Sequence, residues 1–125
     1  MTFDWSEYLK LAQGLAGQTV SPANEEAKLR SSVSRAYYAA FCKARNYLRD
    51  IEGRSIPSTP EAHRYVRDKF KNSPDRLRRK IGDGLDRLRI RRNRVDYEDS
   101  VTGLPSMATM SLKLTQDIIS MLCIL

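Results

Sequence analysis

The feature that most constrains this chain is a run of apolar residues spaced three or four positions apart between residues 29 and 51. Side chains at this spacing share one face of an α-helix and need a core to pack against. The sequence therefore predicts a long helix that begins at Ser21-Pro22, an N-cap followed by proline, and ends near Glu52. Its apolar stripe consists of Leu29, Val33, Ala36, Tyr37, Ala40, Phe41, Ala44, Leu48 and Ile51.

One shorter helix is predicted before the long helix and another after it. The first begins near Asp4, and Gly14 and Gly17 weaken its end. Its apolar face consists of Trp5, Tyr8, Leu9, Ala12 and Leu15. After the long helix, the sequence Ser-Thr-Pro-Glu at 58–61 is typical of a capping box, which predicts a helix that ends near Lys71.

Two further helices are predicted in the second half of the chain. Ser73-Pro74 begins the fourth, whose apolar stripe consists of Leu77, Ile81, Leu85, Leu88 and Val95. Gly82 and Gly84 each cost about 1 kcal/mol relative to alanine inside a helix, so a kink or two shorter helices are open alternatives. The Gly-Leu-Pro turn at 103–105 precedes a last helix, whose apolar face consists of Met107, Met110, Leu114, Ile118, Met121, Leu122 and Leu125.

The whole pattern predicts one all-α domain over residues 1–125. No segment alternates polar and apolar residues with the period of a strand. A chain of 125 residues with 41% hydrophobic side chains is long and apolar enough for a single core. We therefore expect an antiparallel, up-and-down bundle of four to five helices.

Several classes of protein find no support in the sequence. Cys42 and Cys123 belong to no cysteine or histidine cluster, so no metal site is expected. No cofactor motif and no glycine-rich phosphate loop is present, so no cofactor is expected either. The sequence has no signal peptide pattern, and charges interrupt its longest apolar segment. We expect a reduced, cytoplasmic protein that does not enter a membrane.

The positive charge of the chain is concentrated in one stretch. Residues 64–94 contain 13 Lys or Arg and 4 Asp or Glu, whereas the rest of the chain is slightly acidic. Such a stretch attracts polyanions or acidic partners, although a solvated helix face is an equally good interpretation of the charge alone.

One arginine in this stretch interrupts the apolar stripe of the fourth helix. Arg92 lies four residues after Leu88 and three before Val95, so it points where the core should be. A guanidinium keeps its charge and is costly to bury alone, so we expect it to be partly exposed at a cleft or bound to a carboxylate or phosphate. Asp96, one turn later, is a natural partner. The pattern alone leaves open an internal ion pair and a ligand site.

The residues around Arg92 resemble a known family. The segment Arg91-Arg92-Asn93-Arg94-Val95-Asp96-Tyr97, with Ser34-Arg35-Ala36-Tyr37-Tyr38-Ala39-Ala40-Phe41, is similar to the HEPN domain family, in particular to the Arg-Asn-x-x-Asp-Tyr group often encoded beside small nucleotidyltransferases. The resemblance implies a four- or five-helix bundle, commonly a homodimer, with the arginine motif near the dimer cleft. In many members the motif ends in histidine and supports metal-independent RNA cleavage.

The resemblance also supplies candidate site residues. It places Arg92 at the motif arginine, Asn93 at the polar position and Tyr97 where the histidine stands. A tyrosine titrates near pH 10 and is a poor base at neutral pH. Arg92 and Tyr97 are the candidate catalytic residues because they occupy the motif positions, and Asn93 and Asp96 join them as candidate ligand-binding residues. Arg35 and Tyr38 are added to the ligand-binding set because they lie off the apolar stripe of the long helix and can face the same cleft or a partner subunit. The single histidine, His63, is far away in sequence, which favours a surface position.

Three hypotheses about function follow. The first is a homodimeric binding protein that holds RNA, a nucleotide or a partner nucleotidyltransferase in a basic cleft, as one half of a toxin–antitoxin-type two-gene system. The second is an active, metal-independent ribonuclease toxin. The third is a structural dimeric adaptor in which the Arg92 motif is only an internal salt bridge.

Overall fold

The computed structural model describes residues 3–17 and 25–125. Within these ranges it contains five α-helices and no strand, which confirms the predicted all-α bundle. The helices are α1 (Ser6–Gly17), α2 (Glu25–Asp50), α3 (Glu61–Lys71), α4 (Arg76–Tyr97) and α5 (Leu104–Cys123). None of the described helices is long and apolar enough to cross a membrane.

Helix α2 is the centre of the bundle and packs against each of the other four helices. Its predicted apolar stripe is buried from Leu29 to Leu48. Ile51 was expected to extend the stripe but is 70% exposed, because the helix ends at Asp50 and the chain turns away at Gly53, whose φ is +67°. The predicted start at Ser21-Pro22 lies outside the described residues.

Helix α3 departs from a strict up-and-down order. His63 near its start contacts Tyr37, and Phe70 near its end contacts Tyr47, with 6.2 Å between the ring centroids. Helix α3 therefore runs beside α2 in the same direction, and the connection at 51–60 returns along α2. This return brings the start of α3 next to the middle of α2.

The predicted caps of α3 and α4 are wrong in detail. Helix α3 has no side-chain cap, because Pro60 already has helical dihedral angles and backbone bonds of the first turn replace the capping box. At α4 the cap is Asp75, whose carboxylate accepts from the Arg78 backbone N–H at 3.0 Å. Ser73 instead accepts a hydrogen bond from the Asp75 N–H, so α4 begins two residues later than expected.

Helix α4 is continuous through its two glycines. Both are buried, and both lie where another helix comes close. A Cβ on Gly82 would lie 2.6 Å from the Lys71 Cα, whereas a Cβ on Gly84 would meet the end of the Ile118 side chain at 2.8 Å. The glycines thus allow close packing of α4 on α3 and on α5, and they do not break the helix.

Candidate functional site

The side chain of Arg92 faces α2, as its position in the apolar stripe predicts. It is 11% exposed. Its guanidinium carbon lies 5.2 Å from the centre of the Tyr37 ring and 5.5 Å from the centre of the Tyr38 ring, which is cation–π contact with both. Two aromatic rings of α2 therefore hold this charge at the inner edge of the bundle.

The predicted ion pair between Arg92 and Asp96 is long. The closest atoms, Arg92 Nη1 and Asp96 Oδ2, are 4.0 Å apart. The same Asp96 oxygen accepts a hydrogen bond from the Ser34 hydroxyl at 3.3 Å. The Arg92 Nε is buried and has no hydrogen-bond partner among the described residues. Asp96 therefore compensates the arginine only in part.

The remaining candidate residues are not gathered around Arg92. Asn93 is exposed, and Tyr97 at the end of α4 is 75% exposed. Arg35 is exposed, and its guanidinium lies 5.4 Å from the centre of the Tyr8 ring in α1. The structure thus brings Tyr38 and Asp96 to Arg92, and it leaves Asn93, Tyr97 and Arg35 outside that cluster.

His63 was expected at the surface, and this expectation is wrong. Its ring is stacked on Phe41 with 4.2 Å between the centroids, and its Nδ1 is hydrogen bonded to the hydroxyl of Tyr37. The edge of the Tyr38 ring also faces it, at 6.1 Å. The return of the chain along α2 thus brings the only histidine to the two tyrosines that hold Arg92.

The charge state of this cluster follows from its burial. Burial lowers the pKa of His63, and the positive charges of Arg92 and Arg89 lower it further. Burial raises the pKa of Tyr37 well above its usual range, although the same two arginines oppose the shift. At neutral pH the site therefore holds a neutral imidazole and a neutral phenol between cations. With Nδ1 engaged, Nε2 is the ring nitrogen left for a ligand.

Arg89 belongs to the site but did not stand out in the sequence. It lies three residues before Arg92 on the same side of α4, and its Nε is likewise buried without a hydrogen-bond partner in the described part of the chain. Its charge acts on both Tyr37 and His63. The spacing of three from Arg92 was the signal that marks it, but it was hidden in a run of arginines.

Much of the remaining positive charge in residues 64–94 is used inside the fold. Arg78 pairs with Glu52, while Arg67 and Lys71 each reach the Asp86 carboxylate at 3.2 Å. These side chains therefore neither await a polyanion nor form the solvated helix face that the sequence left open, since carboxylates of the same fold pair with them. In contrast, a single carboxylate of the described residues, Asp96 at 4.0 Å from Arg92, faces the two guanidinium groups beside Tyr37.

No group of three His, Cys, Asp or Glu side chains within the described ranges stands ready to hold a metal ion.

The model of the HEPN domain family matches residues 19–125, so the chain belongs to this family. No curated protein and no solved structure matches it. Membership supports a function related to nucleotides or RNA, which is the coarse part of what the sequence predicted. Helix α1 precedes the matched segment.

Proposed function

We propose that this protein binds RNA or a nucleotide through a phosphate held at the cluster of Arg92, Arg89, Tyr37, Tyr38 and His63. The observation that carries the proposal is the incomplete compensation of two neighbouring guanidinium groups. Each has a buried Nε without a hydrogen-bond partner among the described residues, and the nearest carboxylate, Asp96, stays 4.0 Å from Arg92.

A phosphate supplies what this cluster lacks. Guanidinium groups bind phosphate oxygens through parallel N–H bonds, and such bonds gain strength where water is partly excluded. The phenol of Tyr38 and the imidazole Nε2 of His63 add neutral donors or acceptors beside the two charges. A phosphodiester or phosphomonoester therefore fits the site better than a neutral ligand does.

The adaptor hypothesis requires Arg92 to be fully used inside the fold. A structural ion pair of a buried arginine is expected to be short and to satisfy its donors. The distance of 4.0 Å to Asp96, and the Ser34 hydroxyl that shares this carboxylate, favour the ligand site instead.

Salt-dependent binding of RNA tests the proposal. Arg92→Ala is compared with Arg94→Ala, which removes the same charge from the same helix but from a side chain that pairs with Glu98. We expect the first substitution to weaken RNA binding at least about tenfold and the second to weaken it much less. Equal losses of RNA affinity in both variants would show that RNA responds only to the total charge of α4, and this result would contradict the proposal.

One observation favours a second candidate function, metal-independent cleavage of RNA. A neutral imidazole beside Arg92 can take the proton of a ribose 2′-hydroxyl, whose oxygen then attacks the phosphorus. The bond between phosphorus and the 5′-oxygen breaks to give a 2′,3′-cyclic phosphate, and the 5′-oxygen leaves as a hydroxyl with a proton taken from water. Arg92 would stabilise the charge that develops on the phosphate oxygens. In this mechanism His63 does the work that the motif tyrosine cannot do, because Tyr97 lies outside the cluster.

Incubation of RNA with the purified protein in a metal chelator tests this second candidate. Cleavage that is lost in both Arg92→Ala and His63→Gln would establish it. RNA that stays intact while binding is retained would leave binding alone as the function.

We further propose that the protein is a homodimer and that it works with a nucleotidyltransferase-type partner in a two-gene, toxin–antitoxin-type system. The exposure of Asn93 and Tyr97 beside the site leaves them available to a second chain. Light scattering of the purified protein tests the dimer. Co-purification with the product of a neighbouring nucleotidyltransferase gene tests the partner. A protein that is monomeric and does not co-purify with this product would contradict both the dimer and the partner.

A further inference from the structure

A groove opens on the other side of His63, between α1, the middle of α2 and the chain before α3. Its volume is about 440 Å³, within the range of roughly 300–1,000 Å³ of small-molecule sites. Its lining includes the flat rings of Trp5, Tyr8, Tyr38, Phe41 and His63 and the permanent positive charges of Arg35 and Arg45, and no carboxylate lines it.

The wall that α1 contributes is firmly attached to α2. The Asp4 carboxylate forms an ion pair with Lys43 at 2.8 Å and caps the start of α1 through the Ser6 N–H at 3.0 Å. Further along, the buried Ser32 hydroxyl donates to the Ala12 carbonyl at 2.8 Å. Helix α1 lies before the segment matched by the family model, so the wall that it contributes lies outside the matched residues.

The two arginines of the groove are already arranged with its rings. The guanidinium of Arg35 lies 5.4 Å from the centre of the Tyr8 ring, and that of Arg45 lies 5.4 Å from the centre of the Trp5 ring. Arg45 also donates to the Asn46 side-chain oxygen at 3.0 Å. No ion pair links either arginine to a carboxylate in the described part of the chain. Both charges are thus held at the rim beside aromatic faces.

A larger groove nearby has a lining with both positive and negative charges. It has a volume of about 550 Å³, and its lining balances Arg64 and Lys69 against Glu61 and Asp68. Size alone would favour this second groove. Charge and aromatic content favour the first one for an anionic ligand with a flat ring.

We propose that the groove between α1 and α2 binds an unpaired nucleobase, with Arg35 and Arg45 holding the phosphates that flank it. Bases stack on aromatic side chains whatever their sequence, and arginines at the rim hold the backbone. The proposal rests on the proposed function, since the groove shares Tyr38 and His63 with the Arg92 site. Together the two sites would take a single strand, because bases in a duplex are already stacked and paired.

Trp5 is the only tryptophan of the chain and lines the groove, so its fluorescence reports on this site alone. The protein is titrated with AMP, with a single-stranded oligoadenylate and with ribose 5-phosphate. We expect AMP and the oligoadenylate to quench Trp5, while ribose 5-phosphate, which has no base, leaves the signal unchanged. Quenching by AMP but not by the strand would identify a free nucleotide as the source of the base.

Paired substitutions localise the effect. Arg35→Ala with Arg45→Ala is expected to weaken the AMP quenching about tenfold, whereas Arg64→Ala with Lys69→Ala, in the larger groove, leaves it unchanged. Circular dichroism of both double variants checks that they fold. If the double variant Arg35→Ala with Arg45→Ala does not fold, the single variant Arg35→Ala, which changes an exposed side chain, carries the test with a smaller loss.

The outcomes separate this inference from the proposed function. Absence of Trp5 quenching by both AMP and the strand, or equal quenching by ribose 5-phosphate, would overturn the base site. RNA binding that depends on Arg92 would stand in that case. Conversely, quenching by AMP in a protein that binds no RNA at Arg92 would retain the base site and overturn the phosphate site.

Discussion

The hydroxyl of Tyr37 in α2 is hydrogen bonded to Nδ1 of His63 in α3, and the guanidinium of Arg92 lies over the ring of the same tyrosine. One buried phenol thus contacts both the imidazole and the guanidinium of the candidate site. Tyr37 orients the imidazole and at the same time holds the cation that lowers its pKa. This relationship leads to predictions about both stability and charge.

Tyr37→Phe is expected to lower the free energy of unfolding by about 1 kcal/mol, because it removes a hydrogen bond from a side chain that is only 1% exposed and keeps the ring. Urea unfolding measures the change. Tyr97→Phe is the matched control, since that hydroxyl is exposed and its loss should cost less than about 0.5 kcal/mol. Equal effects of the two substitutions would contradict the role given to the Tyr37 hydroxyl.

The pKa of His63 is expected to lie below the usual value of 6.5 and to rise towards it in Arg92→Met, which removes one of the two nearby cations. The chain has a single histidine, so one imidazole resonance in an NMR titration gives the value directly. Arg64→Met removes a charge next to His63 in sequence and serves as control. If the pKa of His63 changed as much in Arg64→Met as in Arg92→Met, the effect would not depend on the position of Arg92 beside the imidazole.

The lowered pKa of His63 also predicts how stability depends on pH. Above about pH 6.5 the imidazole is neutral in both the folded and the unfolded chain, so its pKa shift has no effect there. As the pH falls below that value, the unfolded chain takes up the proton first, and the free energy of unfolding decreases until the folded pKa is passed. His63→Gln should flatten this part of the curve. An unchanged curve would mean that another group causes the acid sensitivity.

Arg92→Ala is expected to change the free energy of unfolding by less than about 1 kcal/mol. The substitution loses two cation–π contacts, but it also removes a poorly compensated charge beside Arg89, and Asp96 keeps its bond to Ser34. Breaking a closely packed buried ion pair instead costs about 3–5 kcal/mol. Thermal or urea unfolding decides between these values, and a loss of several kcal/mol would support the adaptor hypothesis.

Glu52→Gln provides a positive control for that measurement. Glu52 and Arg78 form a partly buried pair, so the substitution leaves an arginine with a weakened partner and should cost about 1–3 kcal/mol. It therefore shows what the assay reports when a structural charge pair is damaged.

The two glycines of α4 are expected to respond differently to alanine. Gly82→Ala places a Cβ against the Lys71 backbone, which cannot move without separating α3 from α4, and should cost about 1–3 kcal/mol or more. Gly84→Ala meets only the end of the Ile118 side chain, and the gain in helix propensity of about 1 kcal/mol offsets part of the strain. Comparison of the two unfolding midpoints tests this order, and equal losses would contradict it.

The parts of the fold that the sequence predicts well are those set by local periodicity. The stripe of α2 and the position of Arg92 between Leu88 and Val95 follow from the helical repeat alone, and both are found in the structure. Helix starts were less predictable, because Ser73 and Asp75 are both good caps and the choice between them depends on where α4 meets its neighbours.

The location of His63 could not be predicted in the same way. It depends on the path of the connection at 51–60, which returns along α2 and sets α3 parallel to it. Nothing in the local pattern of His63 records this long-range contact. Arg89 was missed for a related reason, since a run of arginines conceals which of them turn inwards.

The contact between Gly82 and the Lys71 backbone fixes the register of the α3–α4 hairpin at the end opposite the site. Because the two backbones meet directly, no side chain lies between them that could change its rotamer and accommodate a shift of one helix along the other. A shift of one helical turn would move His63 about 5.4 Å along α4 and separate it from Arg92. The position of His63 relative to Arg92 therefore depends on the absence of a side chain at Gly82, at the far end of the helix pair. We expect that neither an insertion nor a deletion in the turn at 72–75 is tolerated.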